Sequence, residues 1–399
     1  MFLKTNYRAT VLAACFGYVV QSVVVNYTPL LFLTFRESFG ISFSRLTLLV
    51  TVNFLVQLVT DFLSAKLVRV FGFRKCLVAA HVFAAAGLAL LSFLPALINP
   101  FAAILLSTCV FAVGGGLLEV LVSPLCEACP VKNKTALMSF LHSFYCWGVV
   151  LCASLSTVFF VFAGTDGWQL LTLFWAAIPL LNGILFCLVP IYENEKEERE
   201  APSVCELLRR RELWMMLLLM LAAGAAELSV GQWASALTES ALGVSKTMGD
   251  LIGVCGFAVM MGIARTLYAT RLSLRIPIER AMVLCAALCT AGYLLVALSP
   301  DALVALIGCA VCGFGVGIFW PSTYSFASRR IHGGTTMFSL LALAGDLGCS
   351  VGPTVVGTAA DLFGGDLRRG ILLAAVFPVI LLFGYILFSL SDKKKQRKR

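Results

Sequence analysis

The sequence predicts an all-α integral membrane protein in which twelve transmembrane helices form two six-helix, pseudo-symmetric halves. Three observations predict it: the composition, the recurrence of long apolar runs, and the sidedness of the charges between them. Of 399 residues 60% are apolar and 13% charged, with a mean hydropathy of +0.94, whereas a soluble chain is about half apolar and about a quarter charged. That composition argues against a soluble enzyme, a disordered protein and a nucleic-acid binder. The 30 basic and 21 acidic residues lie between apolar runs and form no single patch for a polyanion.

A helix needs about 20 mainly apolar residues to cross the hydrocarbon core. Runs of that length fall at 9–34, 43–68, 75–96, 101–128, 134–163, 167–190, 212–240, 246–270, 278–299, 301–328, 334–362 and 368–390. Lys and Arg collect in cytoplasmic loops, and with the N-terminus inside 25 of the 30 fall on the inner side. That set includes Arg265; Arg36, Arg45, Lys246, Arg368 and Arg369 remain outside. The protein is therefore expected as a multi-pass protein of a cell membrane (plasma or inner), with both termini cytoplasmic. The basic tail KKKQRKR fixes orientation and attracts anionic membrane lipid. Residues 1–30 begin like a signal peptide, but the apolar run is too long and lacks a small-residue cleavage pattern, so it reads as the first span.

The polar stretch 191–211 separates two sets of six spans. The expected domains are residues 1–190, a cytoplasmic linker 191–211, residues 212–390 and a basic cytoplasmic tail 391–399. An ungapped shift of 200 pairs Cys109 with Cys309, Gly115 with Gly315, Thr135 with Thr335, Ser139 with Ser339 and Gly148 with Gly348, among others, in one register. Parallel repeats of this kind place a substrate site between the halves near the midplane. The fifteen Cys form no secreted-type framework, and the Cys126/Cys129 and Cys309/Cys312 pairs read as small buried side chains one turn apart. No metal and no cofactor is expected.

With these features the chain resembles the major facilitator superfamily over essentially its whole length. Gly72-Phe73-Arg74-Lys75 is similar to the end of that superfamily's loop signature, although Ala65 and Arg69 replace its opening Gly and its acidic residue. The runs GGGLLEVLVSPL, LHSFYCWG and GAAELSVGQW resemble the fucose permease-like sugar:proton symporters. That resemblance implies proton-coupled uptake of a sugar. Asn26 stands near the place where fucose permeases carry a first-span acid, so their paired-carboxylate scheme does not transfer unchanged.

Charged side chains inside spans cost a few kcal/mol even on lenient scales, which singles out Asp61, Glu119, Glu227 and Asp346. Glu119 follows Gly114-Gly115-Gly116 and is the favoured proton-coupling carboxylate, since a carboxyl withdrawn from water can take up and release a proton. Glu227 is the second; at the shift of 200 it falls opposite Tyr27. Ser22 and Asn26, and likewise Asn53, Gln57 and Asp61, recur at intervals of four, so each set shares a helix face that lines either a cavity or a polar interhelical clamp. Ser22 has its own backbone as an alternative partner. A sugar presents hydroxyl edges and apolar faces, which makes Tyr27, Tyr145, Trp147, Gln232, Trp233 and Trp320 candidate contacts, with packing as their other role. His142 either bonds substrate, shares a proton with Glu119, or is buried and satisfied. Asp61, Gly72, Arg74, Glu127, Arg265 and Asp346 are assigned to gating or structure, several as ion pairs toward the cytoplasmic side.

The expected function is secondary active transport by alternating access, a proton-coupled symport of a sugar or similar polyhydroxylated small molecule by a monomer. The alternatives are proton-driven export of amphipathic compounds, or a non-transporting membrane receptor or scaffold. No metal-ligand motif, nucleophile elbow or phosphate loop points to an enzyme.

Overall fold

The computed structural model describes residues 6–41, 43–193, 202–234, 237, 250–364 and 366–396. Among them twelve helices are long and apolar enough to cross a membrane, and there is no strand. The protein is a multi-pass membrane protein. Lys246, much of the linker (194–201) and Arg397 to Arg399 lie outside the described residues.

The span boundaries follow local chemistry. The fourth span, Pro100–Ala128, starts behind Asn99, whose side chain accepts from the Ala102 N–H, with Pro at its first position. In the tenth, Asp301 accepts from the Val304 N–H ahead of Ala302–Val316. Each cap satisfies one donor that a helix start leaves without an intrahelical partner. Between the second span, Phe43–Phe71, and the third, Phe73–Phe93, stands only Gly72, at φ +83°. A side chain there would be strained, so a one-residue joint between two helices calls for glycine.

Three spans are interrupted where continuous helix is expected. The first, Tyr7–Leu30, stops beyond Pro29 and is followed by a short helix, Phe32–Phe39. The tenth breaks at Gly317-Ile318 and resumes at Phe319–Ser328. The twelfth is divided between Leu367–Ala374 and Val376–Gln396. In the seventh span the helix Arg211–Gly231 is followed by a turn at Gln232 and Trp233, and Ala234 is helical again.

The chain forms two compact units. The first comprises residues 1–131, 147–203 and 333–340, the second 132–146, 204–332 and 341–399. In the first, Gly114 admits the main chain of the third span at Ala80 and Ala84, an approach that a Cβ would block. A buried polar node ties three of its spans together. Asn182 Nδ2 donates to Ala13 O (3.0 Å) and to His81 Nε2 (2.8 Å), while His81 Nδ1 donates to Leu77 O (2.7 Å). In the second unit Gly348 lies against the main chain of the seventh span at Leu221 and Ala225. Small residues at such contacts let helix backbones approach closely where apolar burial alone gives little advantage in lipid.

The second span shows how the sequence sorts its faces. Asn53, Gln57 and Asp61 are 5%, 1% and 0% exposed, whereas Leu55, Val59 and Phe62 are 54%, 60% and 55% exposed. The polar stripe faces protein and the apolar stripe faces outward. Amides left in hydrocarbon would be unsatisfied, so lipid selects this arrangement.

Candidate functional site

Each unit holds one buried cluster built around a glutamate. In the first unit Glu119, 6% exposed, accepts a hydrogen bond at Oε2 from Gln21 Nε2 at 2.6 Å. A carboxylate oxygen of Asp61 lies within 4.8 Å of one of Glu119. The glycine run makes this possible: a Cβ on Gly116 would stand 3.1 Å from Asp61 Oδ1 and 3.1 Å from Thr60 Cβ, and one on Gly115 would stand 3.4 Å from Gln57 Nε2. Glycine therefore brings the second span close enough to set two acids side by side. Three buried amide atoms nearby have no hydrogen-bond partner among the described residues: Gln21 Oε1, Gln57 Nε2 and Asn53 Oδ1. They offer one donor and two acceptors to water or a ligand.

The Asp61 main chain is also engaged. Its carbonyl accepts from Ser64 Oγ at 2.7 Å and from Ser339 Oγ. Arg69 donates to Thr336 Oγ1 at 2.8 Å, so the start of the eleventh span, Gly334–Leu362, is tied to the second within this unit.

In the second unit Glu227, 8% exposed, is ion-paired with Arg265 at 3.3 Å. Arg265 is only 2% exposed and lies in the eighth-span helix Gly256–Thr270. Its Nε donates to Gly317 O at 2.6 Å and its NH1 to His142 O at 2.9 Å. The break in the tenth span thus presents a carbonyl to the guanidinium, and one cation joins four helices. The interhelical ion pair expected of Arg265 is present, with Glu227 as its partner, and the guanidinium is buried inside a span and not in a loop. Sequence position near the end of an apolar run did not reveal this, because the partner lies 38 residues away in the chain. Removing Arg265 from the inner loops leaves the charge asymmetry intact.

Other expected site residues sort as follows. Tyr27 is fully buried; its hydroxyl lies 2.7 Å from Thr172 Oγ1 and donates to Trp168 O at 3.3 Å, which makes it a packing residue of the first unit. Ser22 Oγ donates to Val19 O at 2.7 Å and Asn26 Nδ2 to Ser22 O at 2.8 Å, so this stripe is satisfied on its own helix. Arg74 NH1 donates to Phe186 O at 2.7 Å and Val189 O at 2.9 Å; in place of a gating ion pair it caps the carbonyl end of Trp168–Leu188, where cations are favoured. His142 is buried with its ring 5.6 Å from that of Tyr324. The Trp320 ring packs on Gly345, and its Nε1 is buried with no hydrogen-bond partner among the described residues. Trp233 Nε1 donates to Pro353 O at 3.3 Å. Gln232 and Trp147 are exposed, Tyr145 and Glu127 half-buried, and Asp346 buried. Gln21, His81, Asn182 and Tyr324 were not singled out in the sequence. An amide within a 24-residue, mainly apolar helix was the available signal for Gln21.

The Major Facilitator Superfamily model matches residues 10–353. The chain belongs to the major facilitator superfamily. Solved structures share its fold at low sequence identity. A single-residue variant of the fucose:proton symporter FucP of E. coli superposes with a TM-score of 0.80 at 15% identity, covering 94% of this chain and 98% of that one. The proton:xylose symporter XylE bound to 6-bromo-6-deoxy-D-glucose gives 0.82 at 13%, covering 95% and 94%. The human organic anion transporter MFSD10 gives 0.76 at 16%, covering 96% and 100%. No curated protein matches by sequence. The twelve spans therefore form a transporter fold, and both glutamate clusters lie inside it.

Proposed function

We propose that this superfamily member takes up a sugar or similar polyhydroxylated molecule together with protons, with Glu119 as the coupling carboxylate and both termini cytoplasmic. The observation that carries the reading is the buried set of Glu119, Asp61 and Gln21. Two carboxylates this close in a low-dielectric interior repel one another unless a proton or other cation accompanies them. Proton uptake relieves the repulsion and makes Glu119 a donor. Gln21 suits both states, since an amide offers N–H to the carboxylate and, after half a turn, its unpartnered Oε1 to the acid. Sugar hydroxyls fit the donors and acceptors of Asn53 and Gln57 in the same way. Release of the proton to the cytoplasm restores the repulsion and loosens the substrate, while the halves alternate around the site. Glu227 holds Arg265 and does not carry the coupled proton. The sugar:proton symporters among the structural relatives support the substrate class.

Uptake into vesicles under an imposed pH gradient tests this reading. A monosaccharide that stabilises the purified protein in a thermal-shift screen at two pH values, with a pH-dependent effect, is the substrate to use. Accumulation against a gradient by Glu119→Gln sinks the assignment of Glu119. Stimulated dye efflux without sugar uptake identifies an exporter instead.

A further inference from the structure

The acid pair has a second connection, through the main chain of Asp61. Ser64 Oγ donates to Asp61 O at 2.7 Å, and Ser339 Oγ, from the start of the eleventh span, donates to the same oxygen. The two hydroxyls lie 3.4 Å apart. A carbonyl has two lone pairs, and here both are taken. Asp61, Ser64 and Ser339 are all buried. Two turns further along the second span Arg69 holds Thr336, so residues 333–340 are fastened to that span at two points. The repeat supplies a comparison. At the shift of 200 Ser339 falls opposite Ser139 on the fifth span, while Asp61 and Ser64 fall opposite Met261 and Ala264. Ser139 is buried too, but its Oγ has no hydrogen-bond partner among the described residues. The serine is present in both repeats and is engaged in the one that carries the acid.

We propose that Ser339 is a positioning residue that reports the charge of the Asp61–Glu119 pair to the start of the eleventh span. The inference rests on the proton coupling proposed above and adds the link from the proton to the moving helix. A carbonyl beside an ionised carboxylate sits in a more negative field, and a low-dielectric interior screens that field weakly, so the carbonyl holds a hydroxyl donor more tightly. While the pair is ionised, Ser339 keeps the start of the eleventh span on Asp61 and the side read as cytoplasmic stays shut. Proton uptake forms an O–H bond at one carboxylate oxygen, weakens the acceptor and frees that start to move once the sugar is bound. The Ser339 hydroxyl keeps its own proton throughout. Residues 333–340 carry no charged side chain. On the other elements packed about the pair, Lys66 and Arg69 stand beyond Asp61 and Glu127 two turns beyond Glu119. The Tyr18 hydroxyl lies 3.0 Å from Ser123 Oγ, and His81 is bonded to Asn182. Asp346 is two turns beyond Ser339 on the eleventh-span helix, outside this unit. The carboxylate nearest to the Asp61 carbonyl along the chain is its own, and the link follows that charge first.

Without the link the eleventh span moves in either charge state, so coupling slips while exchange continues. Ser339→Ala is expected to lower accumulation under a pH gradient about tenfold, with substrate counterflow, which moves no net proton, at the wild-type rate and KM unchanged. Ser339→Thr, which keeps the hydroxyl, is expected to restore accumulation, and Ser139→Ala to leave accumulation and counterflow as in the wild type. Because the link acts through Asp61, adding Ser339→Ala to Asp61→Asn is expected to cause no further loss. Wild-type accumulation by Ser339→Ala overturns the proposal, as does a parallel loss of counterflow, which would make Ser339 a structural residue. An equal loss in Ser139→Ala, or a further tenfold loss in the double variant, overturns it as well. A wild-type protein whose uptake moves no protons overturns the coupling itself, a failure visible before any variant is made.

Discussion

Glu119 and Glu227 are almost equally buried, at 6% and 8% exposure, yet they have different neighbours. Glu227 faces a guanidinium that also binds two main-chain carbonyls, so its negative charge is matched in place. Glu119 faces an amide and a second acid. Burial alone does not assign a role to an intramembrane carboxylate; its nearest neighbours do. A matched pair stores structure, because removing either partner strands a charge. An amide beside two acids stores a choice of protonation state, because the amide serves both.

The comparison can be broken most directly at Glu119. Glu119→Gln is expected to abolish accumulation while counterflow persists, and retained accumulation in a pH-gradient assay would place coupling elsewhere. Next in size, Arg265→Met is expected to cost about 3–5 kcal/mol by leaving Glu227 charged and unmatched, with Arg265→Met/Glu227→Gln recovering most of the loss. Thermal unfolding of the two variants measures this, and equal loss in both would show that the pair is not the reason. Gly116→Val, whose added atoms meet Asp61 and Thr60, is expected to cost about 1–3 kcal/mol and to impair coupling by prising the second span from the fourth. A variant with normal stability and coupling would deny that the glycine sets the acid spacing. Asp61→Asn is expected to lower accumulation on the order of tenfold, the factor given by about 1.4 kcal/mol, and less than Glu119→Gln. The smallest effect is expected for Tyr27→Phe, a loss of about 1 kcal/mol of stability with unchanged substrate affinity. A large rise in KM would return Tyr27 to the substrate site.

The spans and the inward polar stripe of the second span were legible because lipid imposes a local rule on each helix. A run either is or is not long and apolar enough, and Asn53, Gln57 and Asp61 share a face by helical period alone. The same rule marked Glu119 and Glu227 as expensive and therefore as places to look. It did not say that Glu227 would meet Arg265. By position alone Arg265 reads as a cation near the end of its run and Arg74 as a gating charge toward the cytoplasmic side.

What the sequence by itself determined is the membrane class, the twelve spans, the superfamily and the short set of buried acids, all of which depend on composition and spacing within single helices. Only the tertiary structure decided that Glu227 meets Arg265, that Glu119 meets Gln21 and Asp61, and that Tyr27 spends its hydroxyl on Thr172. Those contacts join residues 38 to 145 positions apart. They depend on which helix faces adjoin, and no periodicity within one helix encodes that.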